Sequence, residues 1–187
     1  YLQYVIIQRL FDCRMTILGD RAQTLDKEQQ DVLKFLPKIF GKGIRTVVMN
    51  KSYRNTWEIA SYAGKISEIT DIELLERHGK EVEEKTFDSE EELLSAIEKN
   101  LNVGEEGFET AAVITMTEEE AFDLSRLLKN RGLEVSYVDR NSSAFRKGLT
   151  VTTFYLAKGL EFDQVFAVRG RDDNPLAVQA EYICATR

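Results

Sequence analysis

Four short stretches of the chain carry residues whose types and spacing could do chemistry. The longest, Thr150 to Val165, reads TVTTFYLAKGLEFDQV. Its β-branched start favours an extended backbone. Gly159 then permits a sharp turn and the close approach of a ligand to the main chain. Lys158 precedes that glycine, and two carboxylates, Glu161 and Asp163, follow it on either side of Phe162. A cation, an open turn and a carboxylate are the materials of a ligand-binding loop. The same pattern also serves a plain strand–turn–strand junction with a solvated lysine. Tyr53 and Arg54 stand between an expected strand end and an expected helix start, which is where open α/β sheets bind ligands. A turn with an exposed arginine is the alternative there. Gly19-Asp20 closes an apolar run, and Gln23 follows on the loop. The fourth stretch, Tyr182-Ile183-Cys184-Ala185-Thr186-Arg187, ends a helical pattern on a cation.

The elements that must position these residues follow from periodicity and capping. Leu2 to Leu10 has helical apolar spacing. Arg14 to Leu18 reads as a short buried strand, and Asp26 to Phe40 as a helix that Pro37 should kink or split and that Gly41 and Gly43 end. Ile44 to Met49 reads as a second strand. Asn55 with Glu58 forms a capping-box pattern for a helix to about Ile66. Val82 to Phe87 reads as a charged edge strand. Ser89 with Glu92 and Thr117 with Glu120 cap two further helices, the second closed by Gly132. Strands are expected at Ala111 to Thr115, Leu133 to Val138, Thr150 to Thr153 and Val165 to Val168, and a last helix at Leu176 to Arg187. Alternating strands and capped helices predict a doubly wound, mostly parallel sheet flanked by helices, a three-layer α/β domain.

Composition narrows the class. The 187 residues suit one domain with a real core. No apolar run is long enough to span a bilayer, and no signal peptide is apparent, so a cytoplasmic home and no membrane partner are expected. Cys13 and Cys184 lack metal-like spacing and read as two buried free thiols. His78, the one histidine, reads as a surface residue and not a ligand. The net charge of −7 is concentrated: Asp71 to Glu106 holds thirteen acidic residues against four Lys or Arg, leaving the rest close to neutral. An acidic lobe on one side is compatible with a basic groove on another. It reads as a solvated face.

Taken together and in order, the four stretches resemble motifs III, IV, V and VI of the superfamily 1 helicases of the UvrD, Rep and PcrA type, roughly GDxxQ, NYR, TxHxxKGLEFD and YVAxTR. The resemblance runs from residue 14 to 187. Tyr-Leu-Ala-Lys-Gly-Leu-Glu-Phe-Asp and the compact middle look most like the HelD branch, found with RNA polymerase in some bacteria. The resemblance implies two RecA-like motor domains with ATP and Mg²⁺ between them. It makes residues 1–43 the tail of the first motor domain, carrying motif III, and 44–187 the second, ending at motif VI. The sequence has no GxxxxGK[ST] loop and no paired Asp-Glu after a strand. Those parts, with the metal ligands, are expected upstream of Tyr1, and the chain alone is expected not to hydrolyse ATP.

By the same resemblance, Arg187 and Arg54 match the arginines that stabilise the γ-phosphate in flight, and Gln23 the glutamine that links it to the domain interface. Tyr53 matches the aromatic that stacks on adenine. Lys158, Gly159 and Glu161 match the turn at the nucleotide and the carboxylate on the ribose. Thr153 and Tyr155 match motif V positions near the DNA backbone. The sequence departs from the family at several places. Tyr155 stands where most relatives have histidine, and Ser52 where asparagine precedes the tyrosine. TLDKEQQ replaces the aromatic YxWRGA continuation after the glutamine, and no large insertion separates Arg54 from Thr153. Two functions follow as expectations: part of an ATP-dependent 3′ to 5′ DNA translocase or helicase partnered by single-stranded DNA, or an ATP-driven remodeller of RNA polymerase.

Overall fold

A computed structural model of the chain describes residues 2–20, 23, 32–41, 43–67, 73–142, 146–170 and 175–187. Its elements in order are α1 (Leu2–Leu10), α2 (Val32–Phe40), β1 (Lys51–Ser52), α3 (Trp57–Ser67), β2 (Glu73–Leu74), α4 (Glu90–Asn100), β3 (Thr110–Thr115), α5 (Glu118–Asn130), β4 (Val135–Tyr137), β5 (Gly148–Thr153), α6 (Phe154–Ala157), β6 (Gln164–Ala167) and α7 (Ala177–Ala185). The core is a four-stranded parallel sheet in the order β4-β5-β3-β6. β1 and β2 form a separate parallel pair.

The centre of the sheet is β3, hydrogen-bonded on both sides to β5 and β6. Its sequence TAAVIT is a continuous run and not an alternating one, as a strand covered on both faces requires. Successive side chains leave it on opposite sides. Ala111 and Val113 join Leu149 and Val151 of β5 against Leu94 and Ile97 of α4 and Ala121, Leu124 and Leu128 of α5. Ala112 and Ile114 face Phe154 and Ala157 of α6 and Ala180, Ile183 and Cys184 of α7. On that second side α3 packs against α7. The result is a RecA-like, three-layer α/β fold.

Capping directs the helices of the first face. Ser89 Oγ accepts the Glu92 amide at 3.2 Å. Thr117 and Glu120 make the full reciprocal capping box, with 3.2 Å from the Glu120 amide to Thr117 Oγ1 and 2.9 Å from the Thr117 amide to the Glu120 carboxylate. Glu118 to Glu120 also place negative charge where the helix dipole favours it. Gly132, at φ 88°, ends the chain's exit from α5. Thr117→Ala is therefore expected to cost about 1 kcal/mol, in the range of lost N-caps, whereas Thr117→Ser changes little. Urea unfolding monitored by circular dichroism reads both.

Several expected elements do not form. Arg14 to Leu18, Ile44 to Met49 and Val82 to Phe87 carry no strand, and all but Phe87 of these three runs lie exposed. Val47, Val48 and Met49 are 68 to 80% exposed. Each run has β-favouring residues but no ladder partner among the described residues, and an unpaired strand has nothing to hold its backbone groups. Asn55 does not cap α3: Glu58 instead takes His78 Nδ1 and the Gly79 amide, both at 2.8 Å. These contacts, the His78 bond first, pull the Glu58 carboxyl down to about 2. His78 is on the surface as expected, though tied to that carboxylate. α2 runs through Pro37 unbroken. Residues 26–31 of its expected range lie outside the described residues, as does the Asp71–Ile72 start of the acidic segment. Cys13 is exposed and not buried, while Cys184 is buried as expected, and both are free. Burial pushes the Cys184 thiol up to about 12.

Candidate functional site

The loop from Lys158 to Asp163 is fixed at both ends. At its start Gly159 takes φ 93°, which L side chains avoid. At its end the Asp163 carboxylate accepts from the Thr110 amide at 3.0 Å and from the Thr110 hydroxyl at 2.8 Å, pinning the loop to the head of β3. Asp163 is thus an anchor, and Glu161 is the carboxylate left to face outward. Space above Gly159 is open to a Cβ, so the cost of a side chain there comes from the backbone alone. Gly159→Ala is expected to lose about 1–2 kcal/mol, and Gly159→Asn less, because asparagine tolerates the left-handed region. Thermal unfolding of the two variants checks this order.

Residues far apart in sequence meet at this loop. Arg54 Nε lies 2.8 Å from a Glu161 carboxylate oxygen, with both side chains about half exposed. Arg77 donates to the Arg54 carbonyl, and the Arg77 carbonyl accepts the Trp57 amide at 2.8 Å, so the turn carrying Arg54 is held at the head of α3. Lys158 Nζ donates to the Gln23 carbonyl at 3.0 Å, and Gln23 Nε2 donates to Asp20 at 2.7 Å. The end of α7 closes the group. The Arg187 carbonyl accepts the Phe162 amide at 3.1 Å. Its side chain is 7% exposed, with Nε donating to the Ile183 carbonyl at 3.2 Å and Nη2 to Thr186 Oγ1 at 3.4 Å.

Electrostatics mark the Arg54–Arg187 pair. Burial, and then the nearby Arg54 charge, pull the Arg187 guanidinium below its ordinary range, while Asp20, Tyr182 and Glu161 oppose the shift. The bond from the Phe162 amide to the Arg187 carbonyl brings Arg187 to the loop whose Glu161 holds Arg54, with Arg187 buried and Arg54 half-exposed. A multiply charged anion between them would accept charge-assisted hydrogen bonds from both. Tyr182, buried in α7, is pushed up by that burial and then by Asp20. Asp20 belongs to this group although the sequence reading gave it no role. Its place three residues before Gln23 was the available signal.

Not every candidate joins the cluster. The Tyr53 side chain is 68% exposed beside Arg54. Thr153 and Tyr155 lie elsewhere. The ladder pairs Thr153 with Thr115 at the carboxyl end of β3, whereas Asp163 is bound to Thr110 at its amino end. The Arg54–Glu161–Arg187 group and the Thr153–Tyr155 group therefore occupy opposite ends of the sheet, joined by α6. Tyr53 and Arg54 lie between the end of β1 and the start of α3, as expected, although β1 pairs with β2 and not with the four-stranded sheet. Thr153 Oγ1 is buried without a hydrogen-bond partner. Among the described residues, no group of three His, Cys, Asp or Glu is arranged to hold a metal, and no helix is long and apolar enough to cross a membrane.

No family model and no curated protein matches the chain. Among solved structures, the C-terminal domain of a "possible DNA helicase" from Lactobacillus plantarum WCFS1 is similar, with a TM-score of 0.49 and 23% sequence identity, covering 72% of this chain and 81% of that one.

Proposed function

We propose that the chain is the second motor portion of an ATP-dependent superfamily 1 DNA translocase or helicase, with residues 1–43 the tail of the first motor domain and 44–187 the second. One observation carries this reading: Arg54, Glu161 and Arg187, from three separate stretches, come together with Gln23 and Lys158 at one end of the fold. Their order in the sequence is that of the family motifs.

In this reading ATP binds between this end and the first motor domain, which is the partner that brings the phosphate loop and the Mg²⁺ ligands. As the γ-phosphate leaves, negative charge gathers on its equatorial oxygens, and Arg187 and Arg54 stabilise it from across the cleft. Glu161 holds Arg54 at rest and takes the ribose hydroxyl when nucleotide arrives. Tyr53, exposed at the rim, stacks on the adenine. Gln23, tied to Lys158, couples the phosphate to the interface. Closure on ATP and opening after hydrolysis would move single-stranded DNA one step past the Thr153–Tyr155 end.

TLDKEQQ after Gln23, in place of stacking aromatics, favours a second reading, an ATP-driven remodeller of RNA polymerase. ATP turnover by the protein carrying both motor domains separates the two. Stimulation by single-stranded DNA supports the translocase. Stimulation by RNA polymerase alone supports the remodeller. Turnover by residues 1–187 alone would sink both.

A further inference from the structure

The carboxyl end of the sheet holds a cluster that the nucleotide end does not use. β3 leads to α5 on one face, and its neighbour β5 leads to α6 on the other, so the two strands open a crevice where ligands commonly bind. At its rim Glu118, the first residue of α5, accepts the Tyr155 hydroxyl at 2.7 Å and pairs with Arg140 Nε at 2.7 Å. The Arg140 guanidinium lies over the Tyr155 ring, 5.5 Å from its centroid, and its side chain is 72% exposed. One turn along α5, Phe122 is 55% exposed and meets Tyr137 edge-on, with ring centroids 5.8 Å apart. Phe122 stands four residues after Glu118 on α5, on the same helix face, so the two pairs form one ledge.

We propose that this ledge, Arg140 on Tyr155 beside Phe122 on Tyr137, is a stacking platform for the bases of single-stranded nucleic acid. The inference rests on the nucleic-acid part of the translocase reading and supplies residues that reading lacks. The Tyr155 hydroxyl is committed to Glu118 and one ring face to Arg140, so Tyr155 is a positioning residue for the arginine. A planar guanidinium seated this way keeps its second face for another π system, which a lysine cannot offer. Charge selects the ligand. Glu118 pairs with Arg140, Asp139 precedes Arg140 in the chain, and Glu119 and Glu120 follow Glu118 in the first turn of α5, a local negative charge that opposes phosphate but not a neutral base. Exposed ion pairs add little to folding, so stability alone does not account for the arrangement.

The test uses the protein with both motor domains, a fluorescent oligothymidylate, an abasic oligonucleotide of equal length, and a salt series. Arg140→Ala and Arg140→Lys are both expected to weaken oligothymidylate binding by about 5- to 100-fold, the range for one base stack, with the salt slope unchanged. Phe122→Ala should weaken it likewise, and none of the three should alter abasic binding or move the unfolding midpoint appreciably. Should Arg140→Ala fold poorly, the lysine and Phe122 variants decide. Wild-type binding by Arg140→Lys, with a shallower salt slope in Arg140→Ala, would make Arg140 a phosphate contact and overturn the proposal. Unchanged binding in every variant would overturn the ledge while leaving the translocase reading intact. No binding of single strands by the wild type removes both.

Discussion

Arg187→Ala is expected, on the proposed translocase reading, to lower kcat for ATP by at least about a thousandfold in the protein carrying both motor domains, the lower end of what an arginine finger contributes. On the proposed reading the loss should fall on kcat more than on KM, because the charge Arg187 would meet is greatest in the transition state. Arg187→Lys should recover little. A point ammonium lacks the planar fork, and at this depth it would be desolvated beside Arg54. Steady-state turnover with ATP, beside a binding measurement with a non-hydrolysable analogue, separates the two parameters. A variant that keeps its turnover would show that Arg187 serves the fold alone, through the carbonyls and hydroxyl at the end of α7.

Ile114→Ala is expected to produce the largest loss of stability in the chain, about 2–5 kcal/mol. Ile114 is fully buried in the central strand and packs between α6 and α7. Both neighbouring strands hold its backbone, so the site cannot collapse around the missing atoms. At roughly 2–4 °C per kcal/mol for a chain of this size, the unfolding midpoint should fall by about 5–15 °C. Ile114→Val should cost about 0.5–1.5 kcal/mol. Val48→Ala is the control, with a side chain 78% exposed and an expected change within about 0.5 kcal/mol. Equal losses from Ile114→Ala and Val48→Ala would place Val48 in a packed environment.

The comparison of those two residues also explains which parts of the fold could be read from the sequence. Ala111 to Thr115 and Ile44 to Met49 look alike locally, both short, apolar and β-favouring. Only the first becomes a strand, because β5 and β6 flank it. Pairing is a property of the neighbours, and no local pattern encodes it. The capping boxes are the opposite case. Ser89 with Glu92 and Thr117 with Glu120 act within one turn, so their sequence pattern is the whole mechanism. Asn55 with Glu58 shows its limit: His78 and the Gly79 amide, some twenty residues on, take the carboxylate. α6 is too short for periodicity to reveal, and it turns an expected direct junction into a strand–helix–loop. At the candidate site, residue types were legible, and the structure adds the Arg54–Glu161 contact. Arg140 was not legible, because its significance arises only when it lies on Tyr155, fifteen positions along the chain.

The exposed run Ile44 to Met49 has a practical side. Ile-Arg-Thr-Val-Val-Met holds one charge, no proline and no glycine, and its outer half is largely in solvent. Six such residues are what cross-β stacking needs. In a concentrated preparation this stretch is the place where one molecule would template another, with the chain's net charge of −7 opposing the encounter until salt screens it. The tendency to form fibres should therefore rise with ionic strength, and a lysine in place of Val48 should act as a gatekeeper against it.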